Sequence, residues 1–285
     1  MDKSKIEWCD STWNLVTGCL HGCEYCYARK IAERFGGCWR LDLPPDISWR
    51  GNVGERGLVG DYARHSNGKC HVLDEPEIEC AVFNPPSGYR GKVKPYPYYF
   101  DPTFHRYKLD EPQRWKKPRN IFVCSMADLF GEWVPNEWIE QVFAACEAAP
   151  QHNYLFLTKN PKRYGELAKA GKLPKWKENW WFGSTIDSAK SKRYPGRLGD
   201  NTFVSIEPLT ERLDVGLGSF GSDGWIIIGA ETGNRKGKVT PKKEWIDTIC
   251  NAADITHTPV FMKDSLIPIV GEQNMRRELP PELRR

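Results

Sequence analysis

A chain of 285 residues is long enough for one barrel-sized domain or two smaller ones with a sizeable core. A hydrophobic fraction of 40% and a mean hydropathy of -0.60 exclude a membrane-embedded or disordered class. The net charge of +4 is too small to demand a nucleic-acid partner by itself. The opening MDKSKIEWCDS lacks the apolar stretch of a signal peptide, and no apolar run approaches the ~18 residues of a membrane helix. The expectation is a cytoplasmic protein with no membrane partner. Its ten cysteines then stay reduced and serve as core residues, metal ligands or catalysts.

In chain order, the run Trp13–Val16 predicts a first strand. Directly after it, Gly18-Cys19-Leu20-His21-Gly22-Cys23-Glu24-Tyr25-Cys26-Tyr27 places three cysteines at C-x3-C-x2-C. A helical pattern follows, with Ala28, Ile31, Ala32 and Phe35 on one stripe. From Gly36 to about Pro118 the chain is rich in Gly and Pro and weakly periodic, too long for an ordinary loop. It reads as an insertion, a lid or a substrate module. From Asn120 a regular beat sets in: Ile121–Val123, Tyr154–Leu157, Trp180–Phe182, Phe203–Val204, Trp225–Ile228 and Val260–Met262 are each strand-length and nearly continuously apolar. Strands buried on both faces of a parallel sheet read this way. Helices are predicted from Asn136 through Cys146, from Pro161 toward Leu167, and from Pro241 through Ile249; Thr185–Asn201 is less clearly helical.

About seven strands with βα spacing predict an α/β fold, a full or partial parallel β/α (TIM-like) barrel with a long insertion after the first helix. A doubly wound open sheet is the runner-up. The expected organisation is 1–36 for the first strand, cysteine loop and first helix, 37–118 for the insertion, and 119–285 for the remaining β/α units of the same barrel.

Polar groups follow every strand of the beat: Ser125 and Asp128, Thr158 and Lys159, Ser184, Thr185 and Asp187, Ser205 and Glu207, Glu231 and Thr232, Lys263 and Asp264. In a parallel barrel these ends share one rim, where active sites form. Three thiolates within eight residues converge on one centre only if the loop wraps it, which Gly18 and Gly22 allow. Two chemistries remain open. A closed zinc site needs a fourth ligand, Cys9 or His21. A four-iron cluster on three cysteines leaves one iron with an open position.

The C-x3-C-x-aromatic-C pattern after a first barrel strand, with Tyr25 at the aromatic position, resembles radical S-adenosylmethionine (SAM) enzymes. IEWCDSTWN, RWKKPRNIFVCSMADLF, FLTKNPKR, SIEPL and IIIGAETG resemble a narrower group, the phage-associated three-Cys-motif proteins of unassigned function. The resemblance implies that Cys19, Cys23 and Cys26 ligate three irons of a [4Fe-4S] cluster, and that the SAM amine and carboxylate chelate the fourth. It implies that Tyr25 contacts adenine through its backbone, and that Ser125 and Asp128 stand near the SAM amine. The sequence there is Ser-Met-Ala-Asp, a departure from the common Gly-Gly-Glu. Lys159 is implied at the SAM carboxylate, Ser184 and Glu207 at the ribose, and Glu231 at SAM or substrate. An electron from a flavodoxin- or ferredoxin-type donor would cleave SAM to a 5′-deoxyadenosyl radical that abstracts hydrogen from the substrate. The plain alternative for Lys159, Glu207 and Glu231 is a salt-bridge network on the rim.

Weaker signals complete the reading. Gly216–Gly221 matches G-x-G-x-x-G without the helix a dinucleotide site needs, and reads as a loop. Cys38, Cys70 and Cys80, with His65 and His71, are poorly spaced for a second metal. Cys124 is expected in the core, opposite Ser125. Ser87–Arg119 holds nine Lys/Arg against three Asp/Glu, with eight aromatic rings interleaved. Such a stretch suits a nucleic acid or nucleotide partner, or else tucks its rings into the barrel. The rival functions are a zinc-stabilised nucleic-acid-binding protein and a barrel that has lost its radical chemistry.

Overall fold

The computed structural model describes residues 4–37, 68–79, 91–174, 177–196, 200–213 and 224–284. The elements run β1 (Ser11–Trp13), β2 (Val16–Thr17), α1 (Tyr27–Phe35), β3 (His71–Leu73), β4 (Ile78–Glu79), β5 (Lys92–Val93), β6 (Thr103–His105) and α2 (Glu111–Arg114). Then follow β7 (Asn120–Val123), α3 (Asn136–Glu147), β8 (Asn153–Thr158), α4 (Lys162–Lys169), β9 (Trp180–Thr185), β10 (Asn201–Ile206), β11 (Ile226–Ile228), α5 (Lys243–Ile255), β12 (Val260–Met262) and α6 (Ile267–Val270). No helix among the described residues is long and apolar enough to cross a membrane.

Seven strands form one parallel sheet in the order β1-β7-β8-β9-β10-β11-β12, curled into a half-barrel. Each strand lies beside its predecessor in this sheet, so the order never reverses as it does in a doubly wound sheet. The fold is therefore α/β with a partial TIM-like barrel. Pro161 caps α4 as predicted, α5 begins at Lys243, two residues past the predicted Pro241, and no helix occurs in the described part of 186–200. The predicted run Trp13–Val16 is two short strands; Val16–Thr17 leaves the barrel to pair antiparallel with Thr103–His105. Part of the expected insertion is thus stitched to the N-terminal segment.

The two faces of the sheet bury different residues because side chains alternate along a strand. The outer face packs Ile121, Val123, Tyr154, Phe156, Trp180 and Phe182 against α3 and α4, with Val142, Phe143 and Leu167. Farther along, Val204, Ile206, Ile226, Ile228, Val260 and Met262 pack against Ile246, Ile249 and Ala253 of α5. The inner face is a floor of Phe122, Leu155, Trp181, Phe203, Trp225, Ile227 and Phe261, completed by Trp8 and Leu283. The C-terminal tail closes the bottom, where Asn120 and Asn153 donate to the carbonyls of Leu283 and Glu282. At the open side, Glu7 accepts the N–H of Asp264 at 3.1 Å while Trp8 packs on Phe122 at a ring separation of 4.7 Å.

Helix α1 buries only Ala28 and Ala32; Ile31 and Phe35 of the predicted stripe are exposed. The stripe that packs is the narrow i, i+4 pair, and the larger side chains lie on the adjoining face.

Candidate active site

Above the aromatic floor lies a cavity of about 360 Å³, within the range of small-molecule sites. Its lower wall is apolar, with Ile6, Trp8, Phe122 and Leu157; its upper wall carries Ser125, Asp128, Lys159, Thr185, Ser205, Glu207, Glu231 and Lys263. The cysteine loop borders it with Cys19, Cys23, Tyr25 and Cys26.

The loop wraps as the two glycines predict. Gly18 takes φ +83 and approaches the backbone of Asp101 so closely that a Cβ would stand 2.1 Å from its carbonyl oxygen. Gly22 takes φ +71 at the second bend. Gly18 N–H donates to the Met126 carbonyl at 3.0 Å and Cys19 N–H to that of Phe100 at 3.2 Å. The loop ends where Cys26 caps α1, its sulfur accepting the Arg29 N–H at 3.4 Å. Cys19, Cys23 and Cys26 are all partly buried and feel one another's charge. Burial pushes the Cys19 thiol up to about 12 and raises that of Cys23, so a cationic partner or metal is what would make thiolates of them. Among the described residues no three His, Cys, Asp or Glu side chains gather tightly enough for a single metal ion. The two residues considered as a fourth zinc ligand are engaged elsewhere. Cys9 bonds to Ser4 Oγ and the Ile6 carbonyl, and His21 Nε2 to Asp128 at 2.7 Å. The loop thus offers three free thiols, those of Cys19, Cys23 and Cys26, on one side of the cavity.

Beyond β7, Cys124 has a left-handed φ of 61, which turns the chain into the loop carrying Ser125 and Asp128. Cys124 is buried as expected, and burial lifts its thiol to about 12. Ser125 Oγ donates to Asn14 at 3.1 Å, and its carbonyl accepts the Tyr27 hydroxyl at 2.7 Å. Asp128 is almost fully buried with both oxygens occupied: Oδ1 by Phe130 N–H and the Thr158 hydroxyl, Oδ2 by Lys159 N–H and His21.

Lys159, Asp187 and Tyr25 form a second cluster. The Lys159 ammonium donates to Asp187 at 2.7 Å and to the Tyr25 oxygen at 2.8 Å, and Tyr25 donates to the same Asp187 oxygen. Burial works to raise the Asp187 carboxyl, but the charge and hydrogen bonds of Lys159, with Tyr25 and Ser191, hold it at about 2. The Tyr25 phenol is pushed far up, first by burial and then by Asp187.

Glu207 accepts from Lys263, whose ammonium also lies 3.8 Å from Glu7. Gly229 faces this pair; a Cβ there would stand 3.1 Å from Lys263 and 3.2 Å from Glu207. Glu231 is buried and its two oxygens accept from Nε and Nη2 along one edge of the Arg235 guanidinium at 2.7 and 2.8 Å. That guanidinium also reaches Glu24 of the cysteine loop at 3.3 Å. The salt-bridge alternative thus describes the resting contacts of Lys159, Glu207 and Glu231, while all three still line the cavity.

Ser184 is the one predicted site residue that does not line the cavity. Its Oγ accepts the Tyr194 N–H at 2.9 Å on the opposite face. Its neighbour Thr185 lines the cavity beside Ser205, its register partner on β10. Sequence reading missed Asp187 as a partner, and Arg235. The signals available were an acid two residues past Thr185 and a cation four residues past Glu231, the spacing of a local ion pair.

Cys38, Cys80, His65 and Gly216–Gly221 lie outside the described residues. Cys70 is exposed with its thiol on the Trp133 carbonyl, and His71 stacks on Tyr98 at 3.7 Å. Within 91–119 Phe100, Phe104 and Trp115 are buried and the other aromatic rings half-buried, so the rings tuck inward. A family described as a protein of unknown function (DUF5131) matches residues 3–49 and 88–268, leaving 50–87 unmatched. No curated protein and no solved structure matches the chain.

Proposed function

The chain belongs to the DUF5131 family of unknown function, and we propose that it is a radical SAM enzyme. The observation that carries the reading is that Cys19, Cys23 and Cys26, on one loop, all line a cavity with a polar rim and an apolar floor. In this reading Cys19, Cys23 and Cys26 would hold a [4Fe-4S] cluster as thiolates, leaving it open to SAM. The chemistry such a group would supply, with one electron from a flavodoxin- or ferredoxin-type donor, is reductive cleavage of SAM to methionine and a 5′-deoxyadenosyl radical that would take a hydrogen atom from substrate.

The chain's own residues orient the ligand and exclude water. The Lys159 ammonium stands at the cavity wall to offset a carboxylate, with Asp187 fixing its position. The hydroxyls of Thr185 and Ser205 lie side by side on neighbouring strands, and with Glu207 they suit the two hydroxyls of a ribose. Ile6, Trp8, Phe122 and Leu157 form an apolar wall that offers water no hydrogen-bonding side chain save the Trp8 indole and would keep stray hydrogen donors from a bound ligand. The substrate class proposed is a nucleotide or nucleic acid, for which exposed Lys190, Lys192, Lys236 and Lys238 on the bordering loops supply phosphate partners.

The test is anaerobic reconstitution with iron and sulfide, followed by reduction in the presence of SAM. Wild type is expected to turn brown and release 5′-deoxyadenosine, and Cys23→Ala to release none. Release stimulated by DNA, RNA or a nucleotide identifies the substrate class. A colourless protein holding one zinc ion overturns the reading.

A further inference from the structure

We propose that His21 and Asp128 are positioning residues that seat the cysteine loop on the barrel, rather than ligands of any bound molecule. The proposal rests on the reading of Cys19, Cys23 and Cys26 as cluster ligands.

Asp128 offers four lone-pair sites, and four donors fill them. Phe130 N–H at 3.0 Å and the Thr158 hydroxyl at 2.7 Å reach Oδ1; Lys159 N–H at 2.9 Å and His21 Nε2 at 2.7 Å reach Oδ2. The direction of each bond follows from its partner. Thr158 Oγ already accepts the Asn160 N–H at 2.9 Å, so its proton goes to Asp128. A carboxylate only accepts, so His21 donates from Nε2. No lone pair remains for the amine that the resemblance placed here. The carboxylate instead ties together the turn after β7, the end of β8 and the cysteine loop.

His21 is well placed for such a tie. It lies between Cys19 and Cys23 and is followed by the left-handed Gly22, where the loop has little stiffness of its own. The Trp133 ring meets the imidazole edge-on at 4.8 Å. That ring lies over Gly131, where a Cβ would stand 2.4 Å from it. The imidazole is thus held by packing on one side and by a half-buried hydrogen bond on the other. Three thiols on a loop free to move would meet a metal group in the right arrangement only part of the time, so fixing the loop beforehand raises its retention.

The experiment compares His21→Phe, which keeps a ring against Trp133 but has no donor, with His21→Gln, whose amide N–H can replace Nε2. Hydrogen exchange is followed on the metal-free full chain, and iron and sulfide retention and the EPR spectrum on the reconstituted protein. His21→Phe is expected to speed exchange of the 19–26 amides about tenfold, the scale of one charge-assisted hydrogen bond. It should also retain several-fold less iron and broaden the EPR signal, with His21→Gln restoring all three. Asp128→Asn should behave like His21→Phe, because an amide cannot accept from four donors. The amides of Trp180–Thr185 report whether the fold is intact. Equal protection of 19–26 in wild type and His21→Phe, or failure of Gln to restore it, overturns the proposal. Wild type that takes up no iron sinks the radical reading, while the exchange comparison still decides the tie.

Discussion

The lower and upper halves of the half-barrel are built from the same strands and share almost no chemistry. Below, Phe122, Trp181, Phe203 and Phe261 meet in a floor with Trp8 and Trp225. Above, two or more residues farther along, the inner positions are Lys159, Thr185, Glu207 and Lys263. The floor is held by non-directional burial, so its contribution scales with area and loss of a ring leaves a cavity. The rim is held by directional pairs whose charges and hydroxyls keep one side toward a cavity. Stability and ligand chemistry are separated along each strand, as is common in parallel barrels. Substitutions in the two halves should therefore fail in different assays.

The largest effect belongs to the cysteine loop. Cys19→Ala should abolish 5′-deoxyadenosine release while shifting the urea midpoint little, since no floor residue is lost; parallel loss of folding and activity would break the division. Next, Phe203→Ala, in a position 1% exposed, should cost about 3–5 kcal/mol in urea unfolding. Protein that still folds should keep its iron content.

A smaller, pH-dependent effect lies beneath the loop. His105 is fully buried between Thr17 and Tyr107; burial, and then the Lys108 charge, lower its pKa from 6.5 to about 3. The folded state refuses a proton that the unfolded chain accepts. The stabilisation is therefore complete above the unfolded value and is lost as pH falls toward about 3. Urea midpoints should decline between pH 6.5 and 4, and His105→Gln should flatten that slope by close to one proton.

Asp187 gives a contrasting profile. Its carboxyl is depressed to about 2, so its contribution is present above about 4 and is lost only as pH falls to about 2. SAM binding should be insensitive to this group from pH 5 to 8. Asp187→Asn should weaken it roughly tenfold by freeing Lys159 and Tyr25, read by isothermal calorimetry. The smallest effect is expected for Glu24→Ala, because that side chain is 84% exposed and such pairs contribute about 0–1 kcal/mol. Its thermal midpoint should match wild type, in contrast to any change at the buried Asp128.

How much of this was legible depends on the range of the interaction. The apolar runs from Asn120 onward announced their strands, and their sequential order matched the barrel reading. The cysteine spacing with Gly18 and Gly22 announced a wrapped loop. The run before Cys19 misled because Leu15 and Val16 are buried against Phe104 from the insertion, and not on the barrel sheet. The aromatic stretch before Arg119 read equally as a stacking surface or as rings tucked into the barrel, because composition does not report which way a ring turns, and the structure shows the second.

The sequence by itself determined the periodic elements, the three thiols on one loop and the presence of polar groups at every strand end, because these follow from local spacing. Only the tertiary structure decided which of two adjacent polar residues faces the cavity, Thr185 inward and Ser184 against Tyr194. The alternation of a strand is local, but its phase is set by the face toward which the whole sheet curls. Tertiary packing likewise assigned Asp128 to His21 across 107 positions, and Tyr25 to Asp187 across 162, distances over which no local rule acts.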